Sequence, residues 1–372
     1  MNFTYLMPTK VLMGHGIVRR SAPFFESMGK KALIVTGAQS AKVNGSQDDV
    51  IAVLSQNSQD FAVFDKVSSN PGIASVYEGA AFAKQEACDF VVAIGGGSPM
   101  DAAKVIALLA CQDIPESALF SGQYGAAALP MVHIPTTAGT GSEVTPYAIL
   151  TNDKAQTKTS VASPILFPKI ALLDAAYMEG LPLHITINTA VDALSHAIEG
   201  MLTVRSGALT DTLAAESIKS IAGCFEAMKR DAITAQTREK LLYASMLGGM
   251  VIANTGTTIV HAMGYSLTYF KNVDHGRANG LLMAAFFEYL QKKGVETAAL
   301  ILSLMGFASV DAFANTMNAL LGEKETLSEQ EISAFSASAA KAKNIGNTVV
   351  PPSQEEIAAM FKASLQSSEN RL

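Results

Sequence analysis

The sequence has few cysteines and no long uninterrupted apolar run. Its three cysteines, Cys88, Cys111 and Cys224, are scattered and form no C-x-x-C pair. This pattern argues against a disulfide framework and favours a reducing compartment. The most apolar stretches are interrupted by Gly, Pro or charged residues well short of the length that a membrane span needs. We therefore expect a cytoplasmic protein that makes no use of a membrane.

Positive charge is also scarce. The 27 Lys and Arg residues are outnumbered by 33 Asp and Glu, which gives a net charge of -6 without a basic patch. Nucleic acid is therefore not an expected partner. The segment Met1–Tyr5 does not open a basic region followed by an apolar one, so no secretory signal is expected. Hydrophobic residues make up 49% of the 372 residues, enough for large buried cores in two domains.

The first half of the chain alternates short apolar runs with amphipathic stretches. Strands are predicted over 31–36, 61–64, 89–94, 131–134 and 170–173. Helices are predicted over 48–55, over 73–86 and from Pro99, where proline suits the first helical turn. This alternation indicates βαβ units, and hence a parallel sheet with helices on both faces.

The rhythm changes near Pro182. Helical patterns cover 187–202, 208–228, 238–252, 259–269 and 281–292. The Ala- and Ser-rich C-terminal third, including 333–343, is also predicted to be helical. No strand pattern of comparable quality occurs in this half. We therefore predict an α/β N-terminal domain at residues 1–180 and an all-α C-terminal domain at residues 181–372.

Two polar loops follow predicted strands. Gly95-Gly96-Gly97-Ser98 leads into a helix whose unpaired N–H groups and dipole favour an anion. Asp101 falls in the first turn of that helix, where an acid is also explained by the dipole alone. The second loop, 135–143, is rich in hydroxyls and glycine, although it could be no more than a polar turn. Neither the G-x-G-x-x-G pattern nor the Walker pattern is present. Two such loops at strand ends of one sheet favour a ligand crevice.

Six histidines occur in the chain, and three of them lie with one aspartate in two short segments. Asp192 and His196 are four residues apart, which on a helix places both side chains on one face. His261 and His275 follow in the second segment. One carboxylate with three imidazoles suits zinc or ferrous iron better than magnesium or calcium. On spacing alone, the alternative is a surface aspartate with histidines that are buried structural residues.

Taken together, these segments resemble the iron-containing (group III) alcohol dehydrogenase family. Residues 95–104, GGGSPMDAAK, are similar to its phosphate loop, and residues 135–143, PTTAGTGSE, to its second cofactor loop. Residues 192–199, DALSHAIE, are similar to its first metal signature. His261-Ala-Met with His275-Gly276 is similar to its second. The order and spacing match from about residue 4 to residue 290.

The resemblance implies a Rossmann-like parallel sheet, a dehydroquinate synthase-like architecture and a nicotinamide-dependent enzyme. It implies one divalent metal, Fe²⁺ with Zn²⁺ as an alternative, and the metal ligands Asp192, His196, His261 and His275. It implies cofactor contacts by Asn70, Gly96, Gly97, Ser98, Asp101, Thr136, Thr137, Thr140 and Lys158. Hydride then passes between the substrate's carbinol carbon and the nicotinamide while the metal acts as a Lewis acid. His15, His133 and His184 match no ligand position and are interpreted as structural.

Two positions bear on catalysis and on cofactor choice. Many relatives carry a histidine where this chain has Tyr265, whose unperturbed pKa near 10 makes it a poorer base at neutral pH. Tyr265 is thus a tentative catalytic residue, and a packing substitution is the alternative. Relatives that prefer NAD often have Asp where this chain has Gly37. With Gly37 and Ser40 in that loop, and Lys42 nearby, we expect NADP(H) to be favoured over NAD(H).

Other functions remain as alternatives to an alcohol dehydrogenase. A dehydroquinate synthase-like lyase would need several cations near the metal motifs, where Lys271 and Arg277 are the nearest. A glycerol dehydrogenase-like enzyme would use zinc with a smaller ligand set. Tyr265 suggests two further alternatives, a catalytically weakened relative or a binding protein with a vestigial site. The expected partners are a small alcohol or aldehyde and further copies of the chain, a dimer for example.

Overall fold

The computed structural model describes residues 3–365, and the chain divides into two compact units. The α/β unit is Met7–Leu181. The helical unit begins at Pro182 and includes the N-terminal segment up to Leu6. Within residues 3–365, no helix is both long enough and apolar enough to cross a membrane.

The α/β unit is built on a parallel sheet with the strand order β1-β8-β5-β4-β2-β3 in the described residues. Its strands are β1 (Lys10–Met13), β2 (Lys31–Thr36), β3 (Asp60–Phe64), β4 (Phe90–Gly95), β5 (Met131–Pro135) and β8 (Ile170–Leu173). An antiparallel hairpin is formed by β6 (Tyr147–Asn152) and β7 (Thr157–Ala162). The helices are α1 (Ile17–Arg20), α2 (Ala22–Glu26), α3 (Ser40–Val43), α4 (Ser46–Gln56), α5 (Ile73–Gln85) and α6 (Gly97–Cys111).

Both faces of this sheet are buried, as a parallel sheet requires. In β2, Leu33 and Val35 face a core that includes α5 and α6. The alternate residues Ala32 and Ile34 face a second core that includes α2 and α4. Because successive side chains point to opposite faces, the apolar run of β2 fills both cores.

The carboxyl ends of the central strands are aligned. Thr36 of β2 pairs with Ile94 of β4, and Gly95 pairs with Pro135 of β5. The loops after these three strands therefore emerge side by side. The strand order reverses between β2 and β4, and open α/β sheets bind ligands at such a point.

The helical unit contains α7 to α16 within the described residues. They are α7 (Leu183–Met201), α8 (Ala208–Ala222), α9 (Phe225–Lys229), α10 (Ala235–Thr255), α11 (Ile259–Lys271), α12 (His275–Lys292), α13 (Glu296–Leu304), α14 (Val310–Leu321), α15 (Glu329–Ala339) and α16 (Gln354–Leu365). Short 3₁₀ helices lie at Glu116–Ala118, Ser142–Val144, Pro164–Leu166, Ala175–Met178 and Lys343–Asn347.

Helix α7 is the central element of the helical unit. Every residue from Ala190 to Met201 is buried, and α7 packs against α8, α10 and α12. Two glycines permit these close approaches. A Cβ on Gly248 of α10 would lie 3.1 Å from the carbonyl oxygen of Ala193, and one on Gly276 of α12 would overlap the carbonyl of Asn188. Backbone-to-backbone contact of this kind fixes where the side chains of α7 meet those of α12.

The predicted fold class is confirmed, and individual elements differ from the sequence-based prediction. The helix predicted over 208–228 is divided into α8 and α9 at Gly223, a residue of low helix propensity. Helix α12 begins at His275 rather than near 281, because its first turns are polar and lack the apolar spacing that marks a helix. Strands β1, β6 and β7 were not predicted. Of these, β1 has only four residues, β7 is rich in polar residues, and β6 opens with a short apolar run of four residues, YAIL.

Candidate functional site

Three helices supply the predicted metal ligands. Asp192 and His196 lie one turn apart on α7, His261 lies in the first turn of α11, and His275 is the first residue of α12. The aspartate and the first two histidines are buried, and His275 is partly exposed. The structure thus brings together four side chains that span 84 positions in the sequence.

The ligand atoms converge to the separation that one ion requires. Asp192, His261 and His275 each offer an atom within 4.8 Å of the other two. The distance from His275 Nε2 to Asp192 Oδ1 is 3.8 Å. His196 Nε2 lies 4.0 Å from the same oxygen, and its ring stacks on that of His261 with centroids 4.8 Å apart. Donors of this kind at this spacing fit a divalent transition metal.

A second buried carboxylate, Glu199, fixes the orientation of His261. Its Oε2 bonds His261 Nδ1, and its Oε1 accepts from the backbone N–H of Thr258 at 3.0 Å and of Val260 at 2.9 Å. With Nδ1 engaged, Nε2 of His261 is the atom that faces Asp192. Burial alone would raise the pKa of Glu199, but the charge and the hydrogen bond of His261 outweigh it and lower that pKa.

Glu199 ends the segment that is similar to the first metal signature, and no role was predicted for it. The available signal was its spacing, since Glu199 follows His196 by three residues and therefore lies on nearly the same face of α7.

The metal site keeps its aspartate ionised. Burial opposes the charge of Asp192, whereas the positive charge of His196, His275 and His261 in their protonated forms, and the hydrogen bond from Asn279, favour it. The net effect lowers the pKa of Asp192. An anionic oxygen is therefore available as a ligand at neutral pH.

Tyr265 lies beside the ligand set. Its ring stacks on His275 with centroids 5.5 Å apart, and it meets the His261 ring edge-on at 6.5 Å. The side chain is partly buried. Tyr265 follows His261 by four residues, which places both side chains on one face of α11.

In the α/β unit, the two predicted cofactor loops touch each other. A Cβ on Gly96 would lie 3.1 Å from Thr137 Oγ1, and one on Gly97 would lie 2.6 Å from Thr140 Cγ2. Only glycine therefore lets the α6 N-terminus approach the second loop so closely. Thr136 is buried and donates its backbone N–H to Gly95 O at 2.9 Å, which ties the loops together.

A polar chain links three further predicted cofactor residues. Asn70 donates its backbone N–H to Ser98 Oγ at 3.1 Å and accepts from Thr151 Oγ1 at 2.9 Å. Lys158 Nζ donates to the same Thr151 hydroxyl at 3.1 Å. Burial lowers the pKa of Lys158 to about 8, and the Asp101 carboxylate opposes part of that shift. Sequence reasoning missed Thr151 because it lies in β6, a strand that was not predicted.

Asp101 does not lie in the first turn of its helix as predicted, because α6 begins at Gly97, and its carboxylate is hydrogen-bonded within the α/β unit. Its Oδ1 accepts from Ser142 Oγ at 2.6 Å, and its Oδ2 accepts from the backbone N–H of Ile149 at 2.9 Å. Burial raises the pKa of Asp101, against the opposing charge of Lys104. The carboxylate thus anchors the second loop and β6 to α6, and its contact with a cofactor stays a prediction.

The loop after β2 leaves room beside Gly37. A Cβ there would lie 3.5 Å from Val67 O and 3.9 Å from Ser40 Oγ, which is ordinary van der Waals contact. Lys42 pairs with Asp65 at 2.6 Å, and both side chains are partly exposed. The charge of Lys42 is thus offset by a carboxylate that sequence reasoning did not foresee.

None of the histidines interpreted as structural belongs to the group of Asp192, His261 and His275 that could hold a metal. His133 in β5 is fully buried, and its pKa is held well below its usual value by burial and by Lys104. His15 is exposed in the α/β unit, and His184 is exposed in the first turn of α7.

Comparison with known proteins gives matches along the whole described chain. Residues 8–175 match the family model of iron-containing alcohol dehydrogenase, and residues 186–365 match the model of the C-terminal domain of that family. Alcohol dehydrogenase 4 of Saccharomyces cerevisiae is 35% identical over 75% of this chain and 73% of its own length. The 1,3-propanediol dehydrogenase of Klebsiella pneumoniae is 34% identical over 82% of this chain and 79% of its own.

Solved structures agree with the sequence matches. The crystal structure of an iron-containing alcohol dehydrogenase from Thermotoga maritima is 36% identical, with a TM-score of 0.91 over 98% of this chain and 99% of that one. These matches cover both units, with the predicted metal ligands inside the C-terminal match. The chain belongs to the iron-containing alcohol dehydrogenase family.

Proposed function

We propose that this chain is an Fe²⁺-dependent, NADP(H)-preferring dehydrogenase that interconverts a small alcohol and its aldehyde or ketone. Family membership makes it a nicotinamide-linked, metal-dependent oxidoreductase of alcohols and aldehydes. The particular ion, its ligands, the preferred cofactor and the substrate are the proposal. The observation that carries it is the convergence of Asp192, His261 and His275 within 4.8 Å, with His196 stacked beside them.

When bound, the metal supplies Lewis acidity toward a substrate oxygen, and the nicotinamide exchanges the hydride. The side chains of this site prepare for that chemistry. With a divalent ion bound, one carboxylate, Asp192, and three neutral imidazoles would leave the ion and its ligands with a net positive charge, which would favour a developing alkoxide. Glu199 holds His261 in the tautomer that offers Nε2.

We assign dinucleotide binding to residues 1–180 and metal binding to residues 181–372. Gly96, Gly97 and Ser98 lie at the N-terminus of α6, where backbone N–H groups and the helix dipole favour a phosphate. The Lys158 ammonium, linked to this loop through Thr151 and Asn70, adds positive charge.

The preference for NADP(H) rests on the loop after β2. No carboxylate occurs at Gly37 or Ser40 to accept from a ribose 2′-hydroxyl or to repel a 2′-phosphate. The ion pair of Lys42 with Asp65 limits what Lys42 adds. Gly37 is therefore the position that we expect to decide the preference.

A small substrate is supported by the names of the relatives. They include the 1,3-propanediol dehydrogenase above and the lactaldehyde reductase of Escherichia coli, 36% identical over 62% of this chain. Tyr265, packed against two ligand histidines, is expected to line the substrate pocket without binding the metal. We further propose a cytoplasmic homo-oligomer, since the described cysteines are free and closed homo-oligomers are common.

A dehydroquinate synthase-like activity is disfavoured by two ion pairs. Lys271 is paired with Glu331 at 2.7 Å, and Arg277 is paired with Glu325 at 2.7 Å. Both cations nearest the metal motifs in sequence are thus neutralised, whereas a phosphate and carboxylate substrate would need them unpaired.

The test is turnover together with metal analysis. Protein purified anaerobically and loaded with Fe²⁺ or Zn²⁺ is assayed on small alcohols, aldehydes and dehydroquinate-type substrates with NADPH and NADH. We expect one ion per chain, with alcohol and aldehyde turnover best with Fe²⁺ and NADPH. His261→Ala should lose most metal and most turnover while keeping its NADPH affinity. The exposed His184→Ala is the matched control, and full turnover by metal-free protein would disprove the mechanism.

A further inference from the structure

Asn279 carries a buried side-chain amide that lies among the proposed metal ligands. It lies on α12 one turn after His275, and its side chain is fully buried. A fully buried amide needs partners of matching polarity, because an unpaired polar group in the interior is costly.

The amide nitrogen of Asn279 is placed almost equally far from three ligand atoms. Its Nδ2 lies 3.2 Å from Asp192 Oδ1, 3.3 Å from His261 Nε2 and 3.4 Å from His275 Nε2. Ser195 Oγ is a further neighbour at 3.4 Å. One side of the ligand set is therefore covered by a single NH₂ group.

The nitrogen, rather than the oxygen, must face the ligands. Asp192 Oδ1 and the two Nε2 atoms are all acceptors, so an amide oxygen there would be repelled by each of them. The oxygen points toward Gly264 of α11, where an added Cβ would overlap it, and Oδ1 has no hydrogen-bond partner among the described residues. Gly264 thus provides the space that holds the amide in this orientation.

We propose that Asn279 is a positioning residue that closes the inner side of the metal site. Its N–H donates to Asp192 and fixes the carboxylate, and its bulk keeps water and further ligands from that side. A substrate oxygen would then reach a bound ion only from a side that Asn279 does not cover. An amide does this without adding charge, so a bound ion and its ligands would keep their net positive charge. The proposed function requires that charge, and this inference rests on the proposed function.

The first test uses Co²⁺ as the probe, because its visible spectrum reports the number of ligands. Asn279→Leu keeps the size of the side chain and removes its donors. We expect its Co²⁺ affinity, measured by chelator competition, to fall about 10- to 100-fold, as for other partners of metal ligands. The matched control is Asn344→Leu, whose amide donates to Thr257 Oγ1 at 2.7 Å rather than to a predicted metal ligand. It should bind Co²⁺ like the wild type.

The second test is Asn279→Asp, which keeps the shape and places a carboxylate oxygen where the amide was. We expect tighter Co²⁺ binding, a spectrum of higher coordination number and lower turnover, because the added charge offsets that of the ion. Weaker or unchanged binding with the wild-type spectrum would overturn the inference. This variant decides the matter if Asn279→Leu does not fold.

The outcomes separate the inference from the proposed function. If the wild type binds no Co²⁺ at a single site, the proposed metal site itself fails. If the wild type binds Co²⁺ and Asn279→Leu matches Asn344→Leu in affinity and spectrum, only the role of Asn279 is disproved.

Discussion

At the scale of single residues, Tyr265 could act through its ring, which would shape the substrate pocket, or through its hydroxyl, which would relay a proton. The ring contacts two ligand histidines. We expect Tyr265→Phe to retain kcat within a few-fold, because a metal Lewis acid already acidifies the alcohol. Tyr265→Ala should mainly change which alcohols are accepted. Steady-state kinetics on an alcohol panel tests this, and a loss of about a hundredfold in Tyr265→Phe would instead assign proton relay to the hydroxyl.

Gly37 is the second residue with a separable effect. A carboxylate there has room beside Val67 and Ser40, so Gly37→Asp should fold and repel a 2′-phosphate. We expect the preference for NADPH over NADH to fall at least tenfold, equivalent to about 1.4 kcal/mol. Fluorescence titration of each cofactor measures the change. Gly180→Asp, with open space around its Cβ, controls for the added charge. A wild type that binds NADH tenfold tighter than NADPH would contradict the reading of this loop.

At the scale of elements, the β6–β7 hairpin holds Lys158, whose positive charge depends on pH and which is hydrogen-bonded through Thr151 and Asn70 to the loop at residues 95–98. Because the pKa of Lys158 is lowered to about 8, its ammonium is present at pH 7 and is lost as the pH rises through about 8. The NADPH dissociation constant should therefore rise between pH 7 and pH 9. Lys158→Met should bind more weakly and with a flatter pH profile. The exposed Lys154→Met, in the turn of the same hairpin, should keep the wild-type profile.

At the scale of the whole molecule, an ion at the proposed site would link three helices of the helical unit. Asp192, His261 and His275 come from α7, α11 and α12, so an ion that binds them stabilises the folded state only. At a free concentration near 1,000 times the dissociation constant, the unfolding free energy should increase by about 4 kcal/mol. Thermal unfolding with and without Fe²⁺ or Zn²⁺ measures this. His261→Ala should lose most of the shift, and an equal shift in that variant would place the stabilising ion elsewhere.

The sequence by itself determined the α/β and all-α order, because strand and helix periodicities are local properties of the chain. It also determined which loops are rich in glycine and hydroxyls, and that Asp192 and His196 share a helix face. Strand β7 was not predicted because its polar sequence, TKTSVA, is also typical of a loop, and β6 was not predicted although it opens with the apolar run YAIL. The start of α12 escaped it because a polar, functional first turn hides the helical pattern.

Only the tertiary structure decided which side chains meet. Glu199 and His261 are 62 positions apart, and Asn279 reaches Asp192 across 87. Such pairs depend on how α7, α11 and α12 cross. Glycines at 264 and 276 permit the close contacts between these helices, and no local sequence pattern encodes those contacts. The same holds for Thr151 between Asn70 and Lys158, and for the Asp65 that neutralises Lys42. Local spacing identified the residues with chemistry, whereas packing selected the partners that orient and tune them.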